Sequence, residues 1–171
     1  MADLSELASR VERAEGANRE LDAEIMFDLY AKPVGQHADD GGPTGYLWPE
    51  DSASWAFGIR FPGKDRAWCH DVRKRSDGET LVIERDGAVV LMNNLRVPKL
   101  TASLDAALTL LGPGYWWIIG KGKTTATEPT YGAQVFAAGN GQHPIGEAEN
   151  DASAALALCA AALRARAREG E

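Results

Sequence analysis

The sequence predicts an α+β fold, a mainly antiparallel sheet packed by helices and containing a β-meander. Three observations predict it. Two helical stretches open the chain, an alanine-rich helical stretch closes it, and short strand patterns separated by turn residues fill the middle. A length of 171 residues fits one domain, 1–171, able to bury a core without a disulfide or metal staple.

Leu4, Leu7 and Val11 recur at helical spacing until Gly16, which predicts a helix over 4–15. Asn18 is the expected N-cap of a second helix, 19–30, with Leu21, Ile25 and Leu29 on one face and acids on the outer one. Residues 33–49 have no periodicity and read as a loop. Trp55, Phe57, Ile59 and Phe61 then alternate with small or basic residues, the pattern of a strand that buries them. Pro62-Gly63 turns the chain into an expected strand over 66–73, with Trp68, His70 and Val72 on one side. Thr80–Arg85 and Ala88–Met92 flank Asp86-Gly87, a two-residue loop suited to a type I′ turn. The meander so formed spans about 54–92.

Ser103 is the expected cap of a short helix with a Leu104, Leu108 and Leu111 stripe. The apolar run Tyr115–Ile119 predicts a central strand covered on both faces, followed by a polar loop over 120–129. Tyr131–Ala137 predicts another strand and 139–146 another loop. Asn150 or Asp151 opens a last helix over 152–168, where Leu156, Cys159 and Leu163 share a face and Arg164, Arg166 and Arg168 suit the negative end of the dipole.

Charge is unevenly placed in a chain of net charge −7. Residues 1–40 carry ten acids against four bases, whereas 58–75 carry six bases against two acids. The acidic total argues against general nucleic-acid binding, which depends on phosphate neutralisation; the basic segment suits one small anion. No apolar run approaches a membrane span, the N-terminus lacks a signal-peptide pattern, and Cys69 and Cys159 form no Cys-x-x-Cys pair. These features predict a protein of the cytoplasm that keeps its thiols reduced.

Three stretches carry a family likeness: Arg19-Glu20-Leu21-Asp22-Ala23; Thr101-Ala102-Ser103-Leu104-Asp105-Ala106-Ala107-Leu108, running through Gly114 into Tyr115-Trp116-Trp117; and 154–166. In this order they resemble the phage ABA sandwich domain family, small proteins encoded by phages and prophages of proteobacteria. The resemblance covers roughly 15–31 and 97–168. It implies a three-layer helix–sheet–helix sandwich around that sheet, in which 33–96, with the meander, reads as an insertion, and a phage accessory role in the host cytoplasm; it brings no catalytic residues.

The motifs point to binding more than to catalysis. Gly120-Lys121-Gly122-Lys123-Thr124-Thr125 ends like a phosphate-binding loop, but Trp117 stands where that loop needs its first glycine, and a strand pattern follows where it needs a helix. Cys69-His70-Asp71, His37, Asp39, Asp40 and His143 match no zinc spacing, so no metal or cofactor is expected. No nucleophile elbow is present. The reading is therefore a non-enzymatic accessory protein that sequesters a small anionic ligand, such as a nucleotide signal of host defence. Arg66, Arg73, Lys121 and Lys123 take the phosphates, and Trp68 or Trp116 stacks. The alternative is an inhibitor or adaptor that binds a host protein through Glu20, Glu24 and Asp28, and a weaker one is a small metal-dependent hydrolase. Self-association is expected through hairpin edges such as Ala88–Met92.

Overall fold

The computed structural model describes residues 3–47, 56–75, 78–123, 129–139 and 143–169. It is α+β, with five helices and two antiparallel sheets among those residues. The chain gathers into two compact units, residues 1–21 with 99–171, and residues 22–98. No helix of the described residues is long and apolar enough to cross a membrane.

In the first unit, Asp3 caps α1 (Leu4–Glu12) through its carboxylate, which accepts from Ser5 N and Glu6 N. β6 (Tyr115–Lys123), β7 (Pro129–Ala137) and β8 (Gly146–Asn150) form a three-stranded sheet in that order. Against β7 and β8 lies α5 (Ala154–Glu169), which also packs on α1 and on α4 (Leu104–Leu108). Leu156, Leu158, Cys159 and Leu163 are all fully buried, together with the alanines between them. The helix therefore has no solvent face over its middle turns, and its small residues are what let so many neighbours approach. The approach is closest at Gly146, where a Cβ would land on the Ala161 carbonyl oxygen and 2.9 Å from Ala165 N.

Asn150 joins two helix ends. Its Nδ2 donates to the carbonyls of Glu12 and Ala14 at 2.7 and 3.0 Å, while its Oδ1 accepts from Ala152 N and Ser153 N. One side chain thus satisfies orphaned groups behind α1 and ahead of α5. Asn18 caps α2 (Arg19–Tyr30) as expected, accepting from Glu20 N and Leu21 N.

In the second unit, β1 (Lys32–Val34), β2 (Gly45–Leu47), β3 (Ala56–Pro62), β4 (Thr80–Arg85) and β5 (Ala88–Asn93) form a sheet of order β1-β2-β3-β5-β4. The Asp86-Gly87 hairpin is as expected, with φ of 51° and 70°. Four local expectations are corrected here. The segment 66–73 is not a strand but part of α3 (Arg66–Arg75). Asp65 accepts from Trp68 N at 2.8 Å, a helix N-cap, and Trp68, Cys69 and Val72 fall at helical spacing. β3 buries Gly58 and Arg60, and Ile59 is 51% exposed, the reverse of the predicted face. The cause is Asp40, which holds the Arg60 guanidinium at 2.9 and 3.3 Å in a loop that also contains His37. The loop expected over 33–49 contains β1 and β2. β5 is paired on both sides, so Ala88–Met92 offers no edge for self-association.

The first unit holds three more corrections. Tyr115–Ile119 is not a central strand: it belongs to β6, at the edge of its sheet, and β6 runs on to Lys123 through part of the expected polar loop. β8 occupies residues read as loop and helix start. α4 buries Ala107, and Leu110 is buried just beyond it, while Leu104 is 38% exposed, so the leucine stripe is not its inner face. Trp55 and residues 124–128 lie outside the described residues.

Candidate functional site

The six residues expected to hold an anion divide between the units. Arg66, Trp68 and Arg73 lie on α3 in the second; Trp116, Lys121 and Lys123 lie on β6 in the first. On β6, alternation puts residue 116 on the opposite face from residues 121 and 123. Trp116 stacks on Phe136 with ring centroids 3.8 Å apart, and Lys121 sits 5.4 Å over the Tyr131 ring. These three do not converge. The glycine-lysine run from 120 to 123 is regular strand paired to β7, not a loop, and the next described element is another strand.

On α3 the grouping is closer. A groove of about 340 Å³ opens beside the first turn of α3 and the β4–β5 hairpin, with Lys64, Arg66 and Gly87 on its walls. Arg66 has a side chain 81% exposed and a 3.8 Å ion pair with Glu84, itself 55% exposed. Lys64 stands 5.2 Å from the Trp68 ring centroid, and Trp68 packs on Phe61 at 5.2 Å. Arg85 also lines the groove, but its guanidinium is engaged by Asp28 at 2.7 Å and by Glu24 at 3.3 Å. Asp65, Glu84 and Asp86 contribute negative charge to the same walls. Arg73 belongs to the last turn of α3.

The acidic face proposed for a protein partner is placed differently from the expectation. Asp22 is fully buried and Glu24 is 9% exposed, and the Asp28 side chain is 4% exposed against Arg85. Two of the three expected contact residues, Glu24 and Asp28, are therefore spent inside the second unit; Glu20 is half-buried. The sequence carried no signal of this, because Arg85 is flanked by Glu84 and Asp86 and reads locally as already neutralised.

Among the described residues, Cys69 has no catalytic surroundings. Cys69 is buried, with Sγ 3.2 Å from the Asp65 carbonyl oxygen, and burial together with the nearby Glu84 and Asp65 pushes its thiol up, away from the reactive thiolate. Among the described residues, no three of His, Cys, Asp and Glu stand close enough to hold a metal ion. A second groove, of about 450 Å³, lies over β7 and β8 with Glu12, Glu147 and Glu149 on its walls. Two of its carboxylates are engaged: Arg164 holds Glu12, and Gln134 donates to Glu147. The Arg164 guanidinium keeps the Glu12 carboxyl below its usual range.

Compared with family models, with curated proteins and with solved structures, the chain matches none.

Proposed function

We propose that the protein is a binding protein for a small phosphate-bearing anion, taken at the mouth of the α3 groove by Lys64 and Arg66. The observation that carries this reading is Arg66, whose side chain is 81% exposed and whose ion pair with Glu84 spans 3.8 Å. An exposed pair of that kind contributes about 0–1 kcal/mol. A phosphate, with a charge-assisted and bidentate geometry open to a guanidinium, competes well against it. Trp68 supplies an aromatic flank beside Lys64, the combination that suits a nucleotide over a bare ion. The resemblance to the phage ABA sandwich family makes such a sink an accessory function of a phage, aimed at a nucleotide signal of host defence. Lys121, Lys123 and Trp116 have no part in it.

Calorimetric titration against inorganic phosphate and a panel of linear and cyclic nucleotides tests the reading. A true ligand at a hundred times its dissociation constant stabilises the fold by about 2.7 kcal/mol. Arg66→Glu and Lys64→Glu should each weaken binding at least tenfold. The reading ends if no member of the panel binds, or if charge reversal at both positions leaves the affinity unchanged.

A further inference from the structure

β6 is unusual for an edge strand. Edge strands are ordinarily blunted by shortness, a bulge, proline or an early charge. β6 runs nine residues, pairs with β7 without a register shift from Tyr115 to Lys123, and has no proline. It begins with five apolar residues, of which Trp116, Trp117 and Ile118 are 38, 43 and 49% exposed. Its second half is Gly120-Lys121-Gly122-Lys123. Among the described residues, no strand pairs with its other edge.

The two halves of β6 complement each other when the strand is reversed. Setting Ile119 against its own copy in an antiparallel pair puts 118 opposite 120, 117 opposite 121, 116 opposite 122 and 115 opposite 123. On one face of the sheet, the positions of Trp117 and Tyr115 then meet those of Lys121 and Lys123, an aromatic–cation match at both ends. On the other face, Trp116 and Ile118 meet Gly122 and Gly120, so each bulky side chain lies over a residue without one. A parallel in-register pair would instead stack Lys121 on Lys121 and Lys123 on Lys123, which like charges disfavour.

We propose that β6 pairs antiparallel with β6 of a second copy of this chain, about a two-fold axis at Ile119, joining two three-stranded sheets into one of six strands. The pairing is isologous and closes at two copies. It lies in the unit that the anion groove does not use, so it stands or falls apart from that reading.

Two measurements test it on the full chain. In sedimentation velocity across a range of protein concentrations, the chain should run as a reversible dimer. Trp117→Lys, which sets lysine against the partner's Lys121, should raise the dissociation constant at least tenfold. The double variant Trp117→Lys with Lys121→Glu should restore dimerisation, because each lysine then faces a glutamate. Ile119→Cys tests the register without altering charge. Under mild oxidation it should give a covalent dimer, since the native thiols Cys69 and Cys159 are buried. A monomer at every concentration overturns the proposal, as does a dimer indifferent to Trp117→Lys. Failure of Ile119→Cys to cross-link while the chain is dimeric places the interface elsewhere and overturns it equally.

Discussion

α2 and α5 are both buried over most of their turns, yet they are held by different chemistry. α5 is surrounded by apolar contacts, with Leu156, Leu158, Cys159, Leu163 and a run of alanines fully buried. α2 buries Ile25 and Met26 too, but it also buries Asp22 and Glu24, and its Glu24 and Asp28 meet Arg85. An apolar helix tolerates pH and salt but not added volume. A helix with paired charges tolerates no loss of a partner, because the surviving charge is left without its counterion in a site already removed from water. The second unit engages Glu24 and Asp28 with Arg85, which leaves the exposed Lys64 and Arg66 as its outward feature; the first unit has nothing of that kind on β6, whose outward feature is apolar.

The contrast can be broken first at Arg85. Arg85→Ala removes the guanidinium that holds Asp28 at 2.7 Å and Glu24 at 3.3 Å, and should cost about 3–5 kcal/mol in chemical denaturation. A loss under 1 kcal/mol would mean that the charged core is decorative. Next comes Gly146→Val, which forces side-chain atoms into the α5 backbone at Ala161 and should cost about 1–3 kcal/mol. Hydrogen exchange should show the α5 and β8 amides losing protection first; unchanged protection there would refute the close approach.

The smallest effect sharpens the comparison by pH. Glu12, bound to Arg164 at 2.6 Å, has its carboxyl held below the ordinary value of 4.5. A depressed carboxyl contributes stability that is complete above its unfolded pKa and is lost as pH falls through the lower folded one. Glu12→Gln should therefore cost about 1 kcal/mol at neutral pH, with the gap to the parent closing below pH 4.5. A gap that persists in acid would show that packing, not the ion pair, accounts for it.

Much of the local structure was legible in the residues. Asn18 and Ser103 cap where their side chains predict, because a cap is a contact within three residues. Asp86-Gly87 turns as predicted for the same reason of range. What misled was periodicity in short segments. Trp68, His70 and Val72 satisfy a strand period, while Asp65 and the spacing of Trp68, Cys69 and Val72 satisfy a helix, and over ten residues the two patterns overlap. The site was legible only in part: the basic composition of 64–75 is in the sequence, but the grouping of Lys64 and Arg66 beside the β4–β5 hairpin is not.

By itself the sequence determined the α+β class, the helix caps, the hairpin and the alanine-rich closing helix, all of them products of interactions between near neighbours. Tertiary structure alone decided which face of β3 is buried, which acids of α2 are buried, and which strands lie at an edge. Those outcomes depend on Asp40 reaching Arg60 and on Arg85 reaching Asp28, 20 and 57 residues away along the chain. A charge distant in sequence can reverse a face or neutralise a patch, and no local pattern registers its approach.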